Sequence, residues 1–473
     1  MLFNGSEFIF FFLPLVLAGY FLLGAFCPPI VVAAATAVAS LVFYAWEEPF
    51  RLLSLILISI AFNFTVGREL VRRPRRWLMW LGVGGNLAYL FYFKYAGFFV
   101  DNLIALGVPL ETVKIALPIG ISFYSFTQIA FLVDAYRGEV KECRPAYYAL
   151  FVTYFPHLVA GPILHHKEMI PQFTRPSTYR FDLDRFTRGL SWFAAGMFKK
   201  VMLADSLSVS ANQVYGALEG GALVTKGQAW LGTLNYALQL YFDFSGYSDM
   251  AIGLALCMGI VFPLNFFSPY KATSLTEFWR RWHITLSQFL RDYLYIPLGG
   301  NRRGHFRRHL NLLTTMLLGG LWHGASWNFV LWGALHGMGL VINNLWRERL
   351  GFKSPRWFGL LVTQLFVVLA WIPFRAANLA ATRGMWRSLW GRHGAATPVP
   401  LVGDVWILTL LALLIAWCLP NTAEIFDEHR KFESETRLRW EPTLKWALVL
   451  GIAFGISIGR SLIQPSAFLY FRF

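Results

Sequence analysis

From Leu310 to Leu345 (LNLLTTMLLGGLWHGASWNFVLWGALHGMGLVINNL) the chain runs without a single Asp, Glu, Lys or Arg, yet it carries two histidines. Such a stretch suits the interior of a bilayer, where an ionisable side chain is uncommon and usually faces the protein interior or a water-filled cavity. His323, between Trp322 and Gly324, is therefore a candidate functional residue. The alternative is a neutral imidazole held by a backbone carbonyl and serving only helix packing. On this stretch alone the two readings stand level. A second, strongly polar segment upstream, Glu277 to Gly300 (EFWRRWHITLSQFLRDYLYIPLGG), adds His283 and a row of charges and tips the balance toward function.

The rest of the chain is nearly as apolar. Of 473 residues, 56% are hydrophobic and 17% aromatic, and only 14% are charged, which marks an integral membrane protein. Stretches approaching the about 20 apolar residues that cross a bilayer lie at Phe8 to Phe26, Ile30 to Trp46, Leu52 to Val66, Trp77 to Phe93 and Ile115 to Val133. Others lie at Trp230 to Phe242, Met250 to Phe266, the two halves of Leu310 to Leu345, Trp357 to Phe374, Val405 to Leu419 and Leu444 to Ile463. The expected fold is all-α and polytopic, with about eleven spanning helices plus re-entrant pieces. The first stretch has no basic leader or small-residue cleavage site and carries Glu7 ahead of its apolar run, so it reads as a retained helix rather than a cleaved signal peptide.

A net charge of +16, from 42 Lys and Arg against 26 Asp and Glu, is read here as topology and does not imply nucleic acid. The cluster Arg68, Arg72, Arg73, Arg75 and Arg76 follows the third span, and the positive-inside rule puts it in the cytoplasm with the N-terminus outside. Alternation then places Tyr136 to Arg144, Arg302 to His309, Arg347 to Arg356 and Asn421 to Lys445 on the cytoplasmic side. Arg375, Arg383, Arg387 and Arg392 fall on the outer side against that rule, which suggests an interfacial helix. The four cysteines (Cys27, Cys143, Cys257, Cys418) show neither CxxC nor Cys/His ligand spacing, so no disulfide framework or metal site is expected.

Residues 1–473 read as one membrane domain without soluble insert or short repeat. Pro, Gly and polar residues interrupt Tyr147 to Pro171 (YYALFVTYFPHLVAGPILHHKEMIP) and Tyr293 to Gly300. Irregular backbone at membrane depth is tolerated where protein buries it or water lines it, so these breaks predict re-entrant elements around a cavity.

Four constellations carry possible chemistry. On helical spacing, Glu277 to Gly300 places His283, Ser287, Leu290 and Leu294 on one face and Arg280, Arg281, Gln288, Arg291, Asp292 and Tyr295 on others. One reading is an interfacial helix anchored by Arg and Trp; the other is a basic rim for an anionic donor with His283 deeper inside, which Arg302, Arg303, Arg307 and Arg308 would extend. In Trp322 to Gly337, a continuous helix would turn His323 and His336 roughly 220° apart, which excludes a metal pair. Gly319, Gly320 and Gly324 predict close backbone approach and a broken helix near His323, while His336 reads as packing. In Gln239 to Gly253 (QLYFDFSGYSDMAIG), Asp243, Ser245, Ser248 and Asp249 enter a membrane segment; Ser248 or Asp249 could cap a following helix or line a cavity. The terminal Pro465 to Phe473 (PSAFLYFRF) is an aromatic anchor or, through Tyr470, a phenol able to accept an acyl group once a base removes its proton.

The runs LPIGISFYSF, AGPI, QLYFDFSGYSDMAIG, TEFWRRWHITLSQFLRDYLYIPLGGNR and LLGGLWHGASWNFVLWGALHG resemble the membrane-bound O-acyltransferase superfamily, specifically its bacterial polysaccharide-acetylating branch typified by the membrane subunit of alginate O-acetylation. The resemblance begins at the first helix (FIFFFLPLVLAGYFLL) and loosens after about Trp357. It implies a ring of membrane helices around a central tunnel, with the family's invariant histidine at His323 and its second histidine at His283. Arg280, Arg281, Trp282, Ser287, Arg291, Asp292, Tyr295, Trp322, Asn328, Asp243, Ser245 and Asp249 are then the candidate tunnel or donor-binding residues. Relatives in cellulose and peptidoglycan acetylation end in Phe-Ile-Tyr-Phe-Gln-Phe, a motif whose tyrosine is an acyl carrier candidate. Here residues 468–473 read FLYFRF, with Leu469 and Arg472 replacing Ile and Gln.

The resemblance further implies acetyl-CoA as cytoplasmic donor with no resident cofactor, a periplasmic SGNH-type acetyltransferase and the polysaccharide-synthesis machinery as partners, and the bacterial inner membrane as location. Two other classes stay open from the residues: a proton-coupled transporter with a buried histidine relay, and D-alanyl transfer from a carrier protein.

Overall fold

Helices meet two demands at once in this chain, satisfying every backbone polar group locally and leaving apolar side chains to face lipid. The computed structural model describes residues 1–46, 50–350, 355–392, 398–401, 403–426 and 436–469, and among them there is no strand. Among the described residues, four helices are long and apolar enough to cross a membrane: Phe8–Phe26, Leu52–Arg72, Arg356–Arg375 and Leu444–Ile463. Pro29–Ala45 and Val405–Cys418 are shorter but also apolar. Phe11, Leu15, Phe26 and Ile463 are more than 70% exposed, an arrangement that water would penalise and hydrocarbon does not. Pro29 opens the Pro29–Ala45 helix at a position where a missing N–H costs nothing, whereas Pro14 lies within Phe8–Phe26, just after the π turn at Phe8–Phe12.

The described residues fall into two compact units, each discontinuous in sequence: those within 1–196, 247–263 and 442–469 form one, and those within 197–246 and 264–441 the other. In the first, the Phe50–Arg72 and Arg76–Leu90 helices are tied by a reciprocal amide pair. Asn63 Nδ2 donates to Asn86 Oδ1 at 3.1 Å and Asn86 Nδ2 to Asn63 Oδ1 at 2.6 Å. Such inter-helix polar bonds hold membrane helices where no hydrophobic force can. As expected, the Tyr147 to Pro171 region is broken, into Pro145–Thr153, Phe155–Leu158 and His166–Phe173.

Three sequence expectations are corrected. The stretch read as Ile115 to Val133 is helical only over Ile121–Tyr136, because Gly120, at φ +71°, turns the chain just before it. Trp230 to Phe242 and Met250 to Phe266 are not separate spans: one helix, Lys226–Cys257, runs through both, and the chain after Cys257 leaves the helix. Ser248 and Asp249 therefore sit inside that helix and cap nothing. Nor is Glu277 to Gly300 one helix, since it breaks at His283 into Leu275–Arg281 and Ile284–Leu290; Ser287, Leu290 and Leu294 stay on one helical run that begins at His283 and continues through Arg291–Tyr295, and only Arg280 and Arg281 are separated from it.

The second unit is built around a helical hairpin, Gly304–His323 and Trp327–Leu345, which breaks near Gly324 as its glycines suggest. Small residues let the two backbones touch. A Cβ on Gly320 would fall closer than 3.0 Å to the Phe329 carbonyl, and one on Gly333 equally close to the Met316 carbonyl. The Leu379–Leu389 helix carries Arg383 and Arg387 and buries Ala381, Met385 and Leu389.

Overpacking at such a contact costs roughly 1–3 kcal/mol. Gly320→Val is accordingly expected to lower thermal stability in detergent, whereas Gly216→Ala, with nothing within 4 Å of its added carbon, should leave it unchanged or slightly raised. Equal losses for both would contradict this account of the hairpin.

Candidate active site

The His283 side of the site starts from a well-made short helix. Ser274 caps Leu275–Arg281 by accepting from the Glu277 N–H, and the Glu277 carboxylate accepts from the Thr273 N–H and hydroxyl, both at 2.8 Å, and pairs with Arg281 at 2.9 Å. The chain then reverses at His283, whose φ is +41°, in the left-handed region that costs a non-glycine residue about 1–3 kcal/mol. Hydrogen bonds to the 265–267 segment hold that turn. Ile284 N–H donates to the Asn265 carbonyl at 2.9 Å, Phe267 N–H to the Arg281 carbonyl at 2.9 Å, and Arg281 Nη1 to the Phe267 carbonyl at 3.3 Å. The His283 ring is fully buried, with Nδ1 3.0 Å from Asn265 Oδ1 and the Phe244 ring edge-on at 4.7 Å.

His323 ends the Gly304–His323 helix and is 4% exposed. Three aromatic rings enclose it, with centroids at 4.9 Å (Trp322), 5.0 Å (Trp332) and 5.1 Å (Phe374). Gly324 continues in extended conformation, and a side chain there would collide with the Phe329 ring. Trp322 also lies 6.3 Å from the His283 ring, so the two histidines assigned from sequence rest against one indole.

His336 packs on the same aromatic layer. Its ring is 4.8 Å from Trp332 and 5.2 Å from Trp279, and Trp279 Nε1 donates to its Nδ1 at 3.3 Å. The roughly 220° separation of a continuous helix no longer applies once the chain breaks after His323, and Trp332 comes to lie against both histidines.

The remaining candidates are dispersed around this layer. Trp282 is buried, 5.6 Å from Phe278 and 4.9 Å from Trp371. Ser287 is half-buried, its hydroxyl 3.5 Å from the Trp282 carbonyl. Arg280 is exposed, while Arg291 and Asp292 clamp each other at 2.7 and 3.0 Å. Tyr295 donates to Asn301. Asn328 donates to the Ala376 carbonyl at 2.6 Å and accepts from Thr382 at 3.4 Å, which ties the hairpin to the following helices. Within the basic rim, Arg308 donates to Glu348, and that hydrogen bond holds the Glu348 carboxyl below its ordinary range. Ser245 is buried in the second unit, and Asp249 is buried in the first. Tyr470 lies outside the described residues; just before it, Phe468 is buried edge-on to Tyr247 at 4.2 Å.

Asp243 belongs to a buried ion cluster. Lys200 Nζ lies 2.8 Å from its Oδ1 and 2.6 Å from Asp205 Oδ1. Sequence reasoning missed Lys200, although a lysine in the apolar run MFKKVML carries the same signal that singled out His323. It also missed Asn265, for which a lone Asn in FPLNFF gave no comparable signal.

Helices long and apolar enough to cross a membrane mark a membrane protein, and a buried imidazole in the second unit is a residue suited to an enzyme's site. The chain belongs to the membrane-bound O-acyltransferase family, whose model matches residues 110–381 and so includes both His283 and His323. It is 39% identical over 502 residues to a probable alginate O-acetylase AlgI of Pseudomonas putida, covering 100% of both chains. To a peptidoglycan O-acetyltransferase of Helicobacter pylori it is 37% identical over 530 residues, covering 100% of this chain and 98% of that one. A teichoic acid D-alanyltransferase of Streptococcus thermophilus is 28% identical over 283 residues, 54% of this chain and 68% of its own.

Removing one partner from a buried ion cluster strands the others, at a cost of about 3–5 kcal/mol. Lys200→Met is expected to destabilise by that order in thermal or denaturant unfolding. A change below about 1 kcal/mol would show that the cluster is solvated.

Proposed function

We propose that this chain is a membrane O-acetyltransferase that takes acetyl from acetyl-CoA on the cytoplasmic side of the bacterial inner membrane and passes it outward for O-acetylation of an exopolysaccharide such as alginate or cellulose. The observation that carries this reading is His323, a buried imidazole at the broken end of a charge-free helix segment. Similarity over the full length to relatives named as alginate and peptidoglycan O-acetylating proteins supports the acetyl group.

A thioester brings its own good leaving group, so the protein needs chiefly to position the reactants and remove a proton. An imidazole suits that task because its pKa lies near operating pH. The acceptor oxygen attacks the thioester carbonyl carbon while His323 takes the hydroxyl proton; the C–S bond breaks, and the departing thiolate of CoA recovers that proton from the imidazolium. The acceptor is the Tyr470 phenol, which hands the acetyl on from an aryl ester to a periplasmic SGNH-type transferase, or a serine of that transferase itself. The choice of polymer then rests with the partner and the polysaccharide-synthesis machinery.

D-alanyl transfer from a carrier protein is the second reading, favoured by the teichoic acid relative. That match is weaker and spans about half of the chain.

His323→Ala, in protein that inserts and purifies normally, is expected to reduce transfer of labelled acetyl from acetyl-CoA to the partner or polymer by about 10²-fold or more. Retained transfer would remove His323 from the chemistry. A requirement for an aminoacylated carrier in place of acetyl-CoA would select the second reading.

A further inference from the structure

We propose that Asn265 is a positioning residue that locks His283 in one tautomer, leaving the opposite ring nitrogen as a hydrogen-bond acceptor for the acyl-accepting hydroxyl. The role given to that nitrogen rests on the acetyl-transfer reading above.

The two ends of an Asn side chain are told apart by their partners. The backbone N–H of Thr285 can only donate, and it points at Asn265 Oδ1 from 3.4 Å; the Thr285 hydroxyl lies 3.0 Å from the same atom. That atom is therefore the oxygen. His283 Nδ1, 3.0 Å away, must carry the hydrogen between them, and a neutral imidazole protonated at Nδ1 keeps a lone pair at Nε2. Nε2 is buried and has no hydrogen-bond partner among the described residues. An unsatisfied buried acceptor forfeits its hydration with nothing in return, and this one sits on a residue already held at φ +41°. His336 Nε2 is unpartnered too among the described residues, and what sets His283 apart is that its orphaned nitrogen coincides with a backbone held in the left-handed region, a pairing that an apolar side chain at this place would not need.

The tautomer limits what His283 can do. A lone pair cannot donate, so His283 does not polarise the thioester carbonyl; it receives a hydrogen bond from an O–H. His336 is set the other way: the Trp279 indole N–H only donates, so His336 Nδ1 accepts and its hydrogen sits on Nε2.

Nitrogen NMR of protein labelled with 15N-histidine in lipid, with His283 assigned by difference from His283→Gln, tests the lock in the unmodified chain. The expected spectrum shows a protonated Nδ1 and a bare Nε2. Asn265→Leu should give mixed tautomers and lower kcat for acetyl transfer about tenfold with KM for acetyl-CoA unchanged, the pattern of an interaction made in the transition state. Thr285→Val removes a stitch but not the lock, and should keep the spectrum and most of the kcat. A protonated Nε2 in the unmodified chain, an undiminished kcat in Asn265→Leu, or equal losses in Asn265→Leu and Thr285→Val would overturn the proposal. The expected spectrum in unmodified protein that transfers no acetyl would count instead against the acetyl-transfer reading.

Discussion

Everything around the site follows from the difficulty of keeping imidazoles polar inside a protein that lipid surrounds. A polar atom buried without a partner costs several times what it costs at a surface. The second unit answers with a layer of indole and phenyl rings. Trp322, Trp332 and Phe374 stand edge-on to His323 at interplanar angles of 71°, 85° and 70°. Such contacts contribute roughly 0.5–1.5 kcal/mol each beyond buried area.

That layer exists because the backbone is interrupted in two places. A continuous helix through residue 323 would carry Trp332 and His336 away from it. The break after His323 folds the hairpin back, and Gly320 and Gly333 allow its arms to close until backbone meets backbone. The second interruption, the left-handed turn at His283, is held by bonds to Asn265 and Phe267, one of them from the Arg281 guanidinium that Glu277 pairs with. Arg281, read from sequence as a donor-binding candidate, thus acts in this unit as a strut.

Much of this was legible beforehand, for reasons that differ by residue. The interruption at Gly324 announced itself through three clustered glycines, and the family through long motif runs rather than any short signature. His323 stood out because charge-free stretches make an imidazole conspicuous. The turn at His283 gave no such notice: no Gly or Pro marks RRWH, and the kink comes from partners distant in sequence. In the same way, Ser248 and Asp249 looked able to cap a new helix in the 239–253 run, but the Lys226–Cys257 helix runs through them, with Asp243 neutralised by Lys200. Tertiary pairing overrode local preference in both cases.

The central claim is that the acetyl group crosses while its carrier stays behind. Inverted membrane vesicles with the periplasmic partner and polymer sealed inside, supplied outside with CoA thioester labelled on both acetyl and CoA, test it directly. The account requires acetyl label on luminal acceptor with all CoA label remaining outside. CoA label inside the vesicles, or luminal acetylation that appears only when the donor is loaded within, would contradict it.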